Sequence, residues 1–299
     1  MTRAKFQKIE AKGVLDSRPL SDNEFDSLWD SIFIPADQKD RILAQGILNF
    51  TLRSKVARSK IPLHGLILLV GPPGNGKTSL ARGLASRIAK SFGNNGNFGF
   101  IEVEPHSITS ASLGKSQRSV LDLLGGTISE QAQHHPLIVL LDEVETLAAN
   151  RARMSMDANP IDVHRATDAV LAQLDHLASK HPNLLFIATS NFASAVDDAF
   201  LSRADLIELV GPPGLDGRKF ILKDTLEELA RPFPDIAHLI TDRNIESLAS
   251  LADGADGRRL RKAVINACAA DKETAMNIGR LTLEHLQQAM RNLHIGKNL

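Results

Sequence analysis

The sequence of 299 residues contains one cysteine and no excess charge of either sign. The single cysteine, Cys268, excludes an intramolecular disulfide and a CxxC metal site, and its apolar surroundings predict a small core residue. Lys plus Arg and Asp plus Glu each number 35, which argues against a nucleic acid as the main partner. No apolar run approaches the roughly 20 residues that cross a bilayer, and residues 1–13 are too polar for a signal peptide. We therefore expect a cytoplasmic protein without a membrane segment.

Short aliphatic runs alternate with segments of helical period over the first two thirds of the chain. Three clear runs and two weaker ones lie, in chain order, at 66–70, 98–103, 137–141, 184–189 and 206–210. The clear runs lack alternating polar residues, which is typical of strands buried on both faces of a parallel sheet. The pattern predicts an α/β fold with a doubly wound parallel sheet, and residues 215–297 predict a small all-helical domain after it.

The same patterns predict where the domains begin and end. We expect a helical linker over residues 1–60, of which residues 1–20 are loosely ordered. A large α/β domain is expected over residues 61–211 and a helical lid domain over residues 212–299. The Gly-Pro-Pro-Gly sequence at 211–214 lacks a following Gly-Lys-Ser/Thr and is predicted to be the hinge between the last two.

A complete phosphate-binding motif, G-x-x-x-x-G-K-[ST], follows the first clear run. Its residues, with the next residue of the predicted helix, are Gly71, Pro72, Pro73, Gly74, Asn75, Gly76, Lys77, Thr78 and Ser79. The glycines let backbone N–H groups turn toward phosphates, and the helix N-terminus adds a partial positive charge. We expect Lys77 to reach the β- and γ-phosphates and the Thr78 hydroxyl to ligate Mg²⁺, so the motif predicts ATP and Mg²⁺ as ligands.

Acidic and amide side chains follow two other predicted strands. Asp142 comes directly after residues 137–141, where it would hold the metal, and Glu143 is placed to orient and polarise the attacking water. Asn191 follows the run at 184–189, and its amide could bond both the γ-phosphate and that water. The alternative for Asn191 is a cap of the next turn. With the phosphate loop, these residues predict an ATP hydrolase.

Two arginines are candidates for contact with the phosphates. Arg203 precedes the fifth strand, and we expect it to act across a subunit interface on a neighbour's nucleotide. The alternative is a surface salt bridge to a carboxylate such as Asp205. Arg258 begins a basic cluster that ends at Lys262, and the residues alone leave open a DNA-facing stripe, a solvated helix face or a phosphate sensor.

These motifs, in this order and followed by a helical domain, resemble the AAA+ ATPases over residues 25–297. Several stretches resemble the pachytene-checkpoint branch of that superfamily: residues 142–147, 165–175, 189–191, 203–205 and 257–262. For Arg258 the resemblance favours a sensor that couples the lid to the nucleotide. It implies a ring, a homo-hexamer, in which ATP hydrolysis converts HORMA-domain proteins from their closed to their open form.

The resemblance also differs in two places from the pattern of the eukaryotic members. The segment before Leu66 is too short for their N-terminal adaptor domain, and in this the chain resembles the bacterial members of antiviral nucleotide-signalling operons. That implies a HORMA-domain substrate with an associated nucleotidyltransferase. The pore loop usually offers an aromatic residue to grip a threaded chain, but Leu113 stands at the matching place. Residues 150–161 are expected to form a second pore loop or else a solvated connector.

Two alternative functions stay open at this point. One is an AAA+ motor or loader that acts on nucleic-acid machinery, against which the zero net charge argues. The other is an ATP-dependent scaffold whose output is assembly rather than turnover, against which the intact Glu143 and Asn191 argue. The resemblance also places Trp29 and Ile32 near the adenine, although packing in the core explains Trp29 equally well.

Overall fold

The computed structural model describes residues 6–93, 97–105, 115–148 and 160–293. The chain divides into two compact units. The first unit comprises Met1–Asp30, Ala36–Gly71 and Lys77–Leu209. The second comprises Ser31–Pro35, Pro72–Gly76 and Val210–Leu299. The second unit thus includes two short segments from the first third of the chain. Domains defined as continuous stretches of sequence cannot describe this arrangement.

The elements of the first unit alternate between strand and helix. Its strands are β1 (Val14–Leu20), β2 (Leu66–Val70), β3 (Phe98–Val103), β4 (Leu137–Leu141), β5 (Leu184–Ser190) and β6 (Leu206–Leu209). Its helices are α1 (Asn23–Ser31), α2 (Ala36–Leu52), α3 (Lys77–Ser91), α4 (Lys115–Val120), α5 (Ser129–His134), α6 (Pro160–Lys180) and α7 (Asp198–Leu201). A π-helical segment, Leu121–Ile128, lies between α4 and α5.

One six-stranded sheet, in the order β1-β3-β4-β5-β2-β6, forms the centre of the first unit. Five strands, β2 to β6, run parallel, and every residue of β2, β3, β4 and β5 is buried. Continuous burial requires cover on both faces, which explains the unbroken apolar sequences of β2 and β4. The predicted doubly wound fold is confirmed.

The edge strand β1 differs from what the sequence predicted for residues 1–20. Residues 1–20 were expected to be loosely ordered, yet Val14–Leu20 pairs antiparallel with β3, so the sheet is mixed rather than purely parallel. Ser17 is its one buried residue, which leaves no apolar pattern to read. Pro19, which lacks an N–H donor, is tolerated because β1 lies at the edge of the sheet.

The second unit is helical, as the sequence predicted for its C-terminal part. Its helices are α8 (Leu215–Ala230), α9 (Asp242–Leu251), α10 (Gly257–Cys268), α11 (Lys272–Met276) and α12 (Leu283–Asn292). Side chains cap the N-termini of the last four by accepting a backbone N–H three residues on; these are Thr241, Asp256, Asp271 and Thr282. Cys268 lies in the apolar core of this unit, as predicted, and burial raises the pKa of its thiol. In the described parts of the chain, no helix has the length and apolarity that crossing a membrane requires.

A buried histidine in the first unit is expected to make stability depend on pH. His181 is 4% exposed, and its Nε2 lies 2.9 Å from Ser129 Oγ. Burial, followed by the nearby Lys180 and His176, lowers the pKa of His181 below its ordinary 6.5. The unfolded chain therefore binds this proton more readily, so we expect the free energy of unfolding to fall as the pH drops below about 6.5. Urea titrations at several pH values should show this slope.

Two substitutions separate His181 from the other histidines. His181→Asn should reduce the dependence of the unfolding free energy on pH below 6.5, because the His181 ring is gone; the part that remains comes from His64, whose pKa burial also lowers. His134→Asn, which replaces a histidine at an exposed position, is the comparison variant, and the slope of His181→Asn should be the smaller of the two. An unaltered slope in His181→Asn would contradict the assignment.

Candidate nucleotide site

The phosphate-binding motif lies between a strand and a helix, as the sequence predicted. β2 ends at Val70 and α3 begins at Lys77, and Ser79 lies in the first turn of that helix. Gly71 N donates to Ser190 O over 3.1 Å, which fixes the start of the loop beside the end of β5. Gly74 and Gly76 have φ values of +87° and +79°, a backbone region that favours glycine.

Within the second unit, the phosphate loop contacts the start of α10. Arg258 N donates to Gly74 O over 3.1 Å. A Cβ on Gly74 would lie 2.4 Å from Oδ1 of Asp256, the residue that caps α10 by accepting from Arg259 N. The loop therefore depends on glycine at this position for two reasons, the left-handed backbone and the close approach of Asp256.

Replacing Gly74 by Ala should weaken nucleotide binding. The added Cβ collides with Asp256, and the left-handed backbone adds strain of about 1–3 kcal/mol, so we expect ATP affinity to fall about tenfold or more. Gly93→Ala is the matched control, because Gly93 also has a left-handed φ of +64° but no atom within 4 Å of the added Cβ. Calorimetric titration with ATP compares the two, and equal losses in both variants would contradict this account.

The two residues expected near the adenine occupy different places. Ile32 lies against the phosphate loop, since a Cβ on Gly76 would be 2.4 Å from its Cδ1. Trp29 is buried against Gly83 of α3, and the Lys39 ammonium lies 5.1 Å from the centre of its ring. Core packing is thus the interpretation of Trp29 that the structure supports.

Lys77 and Asn191 meet at the carboxyl ends of β2 and β5. Lys77 is 6% exposed, and its Nζ donates to Gly71 O over 2.7 Å and to Asn191 Oδ1 over 3.0 Å. The two strands are neighbours in the sheet, which explains how residues 114 positions apart come together. The arrangement aims a lysine and an amide at the place where the motif would hold phosphates.

Asp142 accepts hydrogen bonds from two hydroxyl groups. Thr78 Oγ1 donates to Asp142 Oδ1 over 2.8 Å, and Thr189 Oγ1 donates to the same oxygen over 2.5 Å. The structure therefore brings the two predicted metal residues, Thr78 and Asp142, into direct contact. Hydroxyl and carboxylate oxygens are the protein ligands that Mg²⁺ prefers.

Glu143 extends this arrangement toward solvent. Its side chain is exposed, and its backbone is left-handed, with φ +51° and ψ +53°. Glu143 Oε1 accepts from Asn191 Nδ2 over 3.4 Å. Asn191 N in turn donates to Glu145 Oε1 over 3.1 Å. An exposed carboxylate beside an amide can accept a proton from a water molecule held between them.

Thr189 and Glu145 also contact predicted site residues, although the sequence motifs predict no role for either. Leu141 is paired with Ala188 in the register of β4 and β5, so Asp142 and Thr189 are the next residues on neighbouring strands. In the sequence, the feature that could have indicated Thr189 is its hydroxyl, which lies two residues before the candidate Asn191. Its significance depends on the register, which the sequence alone does not specify.

Arg203 forms a bidentate ion pair within its own unit. Its Nε and one terminal nitrogen donate to the two carboxylate oxygens of Asp175 over 3.0 and 2.7 Å, and this pairing lowers the pKa of Asp175. The alternative, a salt bridge from Arg203 to Asp205, does not form. Asp205 accepts instead from the backbone N–H groups of residues 64–66 at the start of β2. The action of Arg203 on a neighbour's nucleotide stays a prediction.

Among the remaining candidate residues, the structure describes Arg258 and Asn75 but not the pore-loop residues. Arg258 stands in the first turn of α10 with an exposed side chain. Asn75 is 8% exposed, and in the described parts of the chain its Oδ1 has no hydrogen-bond partner. Leu113 and residues 150–159 lie outside the described residues, so both pore-loop predictions stay as they are.

Comparison with known families places this site in an ATPase domain. Residues 67–215 match the family described as "ATPase family associated with various cellular activities (AAA)". The matched segment begins in β2 and ends at the start of α8, so it contains the phosphate loop, Asp142, Glu143, Asn191 and Arg203.

Individual relatives extend the similarity over most of the chain. CD-NTase-associated protein 6 of Pseudomonas aeruginosa is 54% identical over 280 residues, which cover 94% of this chain and 92% of that protein. A pachytene checkpoint protein 2 homologue of Oryza sativa subsp. indica is 38% identical over 70% of this chain, but the match covers only 45% of that protein. The chain thus spans about half the length of this relative.

Solved structures share the fold. Caenorhabditis elegans PCH-2 superposes with a TM-score of 0.75 and 27% identity, covering 95% of this chain and 76% of that one. A chain of the E. coli MS115-1 HORMA:CdnC:Trip13 complex also gives 0.75, with 93% and 94% of the two chains covered. At 18% identity, this second likeness concerns the fold alone.

Proposed function

This chain belongs to the AAA family of ATPases, in the branch of the pachytene checkpoint protein 2 homologues, and we propose that it uses ATP hydrolysis to open or disassemble closed HORMA-domain complexes. The observation that carries the proposal is the 54% identity to CD-NTase-associated protein 6 over 92% of that protein. The fold shared with a chain of a HORMA:CdnC:Trip13 complex supports it. The partners would be a HORMA-domain protein and an associated nucleotidyltransferase, in the cytoplasm, where the remodelling would regulate antiviral signalling.

The nucleotide would be held by the phosphate loop, residues 71–79. Lys77 would contact the β- and γ-phosphates, and its hydrogen bonds to Gly71 O and Asn191 Oδ1 at the ends of two strands support this role. Thr78 and Asp142 fit Mg²⁺ because they present hydroxyl and carboxylate oxygens in direct contact. When bound there, Mg²⁺ would neutralise charge on the phosphate oxygens.

Hydrolysis would proceed by attack of water on the γ-phosphorus. Glu143 would accept a proton from the water as its oxygen bonds to phosphorus, and the bond from phosphorus to the β–γ bridging oxygen would break, leaving ADP and phosphate. Asn191, whose amide contacts Glu143 Oε1, would hold both the water and the γ-phosphate. The proposed function of the exposed Glu143 carboxylate is thus to accept a proton from the oxygen of the attacking water.

We infer that the active form is a homo-hexameric ring. Arg203 would leave Asp175 and stabilise the charge on a neighbour's phosphates, so each site would need two copies of the chain. Arg258, in the lid domain proposed over 212–299, would couple that domain to the nucleotide. The segment proposed as a linker over 1–60, which also supplies the edge strand β1, and the ATPase domain proposed over 61–211 would complete this organisation, and Leu113 would contact substrate in the pore.

A substrate trap tests the proposed function. Glu143→Gln should bind ATP without turnover and so retain its substrate; loaded with ATP in its native host, it should retain a HORMA-fold protein, identified by mass spectrometry. Removing ATP should release that protein, and Lys77→Ala, which lacks the phosphate contact, should retain none. Recovery of DNA-replication proteins would favour the loader alternative, and recovery of nothing beyond the ATPase would contradict remodelling.

A further inference from the structure

We propose that Thr189 is a positioning residue for hydrolysis, because its hydroxyl joins the metal-site carboxylate to the backbone of the residue that would activate water. The inference rests on the proposed function, which assigns those tasks to Asp142 and Glu143. It adds a residue that holds the two in a fixed relation without touching substrate itself.

The register of the sheet brings Thr189 to this position. β4 and β5 pair with Leu141 opposite Ala188, so Thr189 lies next to Asp142 where both strands end. Thr189 is 1% exposed and belongs to a strand whose every residue is buried. A polar side chain at such a position must be satisfied by its neighbours, and here both neighbours are candidate site residues.

One hydroxyl serves both partners. Its single proton is donated to Asp142 Oδ1 over 2.5 Å, and its oxygen accepts from Glu143 N over 3.0 Å. The same Asp142 oxygen also accepts from Thr78 Oγ1 over 2.8 Å. Two hydroxyl groups from opposite neighbours, α3 and β5, therefore fix the orientation of this carboxylate.

The bond to Glu143 N supports an uncommon backbone conformation. Glu143 has φ +51°, which a residue with a Cβ adopts only when the surrounding structure holds it there. That conformation decides where the Glu143 side chain leaves the backbone, and thus where its carboxylate lies beside Asn191. Losing the Thr189 acceptor would release the backbone at the residue that must meet the water.

Two substitutions at Thr189 distinguish positioning from simple packing. Thr189→Val keeps the volume and suits a buried strand, but it removes the donor to Asp142 and the acceptor for Glu143 N. Thr189→Ser keeps the hydroxyl and removes only a methyl group. A packing role predicts that Val is tolerated better than Ser, whereas a positioning role predicts the reverse.

The experiment measures steady-state hydrolysis and metal binding in both variants. We expect Thr189→Val to lower kcat about 10–100-fold with KM for ATP unchanged, and to weaken Mn²⁺ binding to the ADP complex, followed by electron paramagnetic resonance, by about tenfold. Thr189→Ser should restore kcat and Mn²⁺ affinity to within a few-fold of the wild type. A folded Thr189→Val chain with wild-type Mn²⁺ affinity overturns the inference, whatever its kcat.

Two further comparisons keep the result decisive. If thermal melting shows that Thr189→Val does not fold, Thr189→Ala set against Thr189→Ser replaces it, with the same expected loss and recovery. Glu143→Gln is measured in parallel. If Glu143→Gln hydrolyses ATP like the wild type, the proposed mechanism itself fails, whereas an inactive Glu143→Gln beside a wild-type-like Thr189→Val removes only the role of Thr189.

Discussion

Replacing Glu143 by Gln is expected to lower ATP turnover by about 10²–10⁴-fold while ATP still binds. The amide has nearly the same shape as the carboxylate, but it cannot accept the proton of the attacking water. Thr78 and Asp142, placed to bind the metal, contact each other, and Lys77 contacts Gly71 O; neither contact involves the Glu143 side chain. Phosphate release under saturating ATP and binding of a fluorescent ATP analogue measure the two quantities separately.

The control for Glu143→Gln is Glu273→Gln in the second unit. Glu273 is an exposed carboxylate paired with Arg280, and its loss should leave turnover at the wild-type level. Turnover of Glu143→Gln within threefold of the wild type would mean that another group takes the proton. Loss of ATP binding along with turnover would mean that Glu143 maintains the site rather than activates water.

Replacing Arg203 by Ala is expected to lower turnover by about 10³-fold or more, because a transition-state arginine contributes 10³–10⁵ in rate. ATP affinity should change little, since the groups placed to bind the phosphates lie in the chain's own phosphate loop. The structure shows Arg203 bound to Asp175 in the isolated chain, an arrangement in which the guanidinium is oriented but touches no predicted phosphate ligand.

Asp175→Ala separates the two possible uses of Arg203. If the arginine serves only the ion pair, Asp175→Ala should lose at least as much activity and stability as Arg203→Ala, because it also removes the partner of Arg58 and His64. If Arg203 acts on a neighbour's phosphates, Asp175→Ala should keep far more activity than Arg203→Ala. Paired turnover and thermal melting measurements decide between them, and equal losses would contradict the predicted role in trans.

The large features of the fold were readable from the sequence because parallel strands buried on both faces leave unbroken apolar runs. β2, β4 and β5 appear in this way, and the helical C-terminal unit appears by its 3.6-residue period. β1 does not, since an edge strand buries one residue and its remaining side chains follow no apolar pattern. The sequence also could not predict that residues 31–35 and 72–76 belong to the second unit, because this grouping depends on tertiary contacts.

Some residues of the candidate site could likewise be predicted from the sequence and others could not. The phosphate loop, Asp142, Glu143 and Asn191 were predicted because each follows a strand within a few residues, at a spacing that chemistry requires. Thr189 and Asp175 were not, although one contacts Asp142 and the other binds Arg203. Both contacts join residues 28 or more positions apart, so only the register of the sheet and the packing of α6 reveal them.

We propose above all that ATP is hydrolysed at a site completed by a neighbouring copy of the chain, and mixing two inactive variants tests this most directly. Lys77→Ala lacks the phosphate contact but keeps Arg203, and Arg203→Ala has the reverse defect. In a randomly mixed ring, about half the sites keep Lys77 and about half of those face an intact Arg203, so roughly a quarter of wild-type turnover should return. Native mass spectrometry verifies that mixed rings form. If these rings stay inactive, hydrolysis at a site shared between neighbouring copies is contradicted.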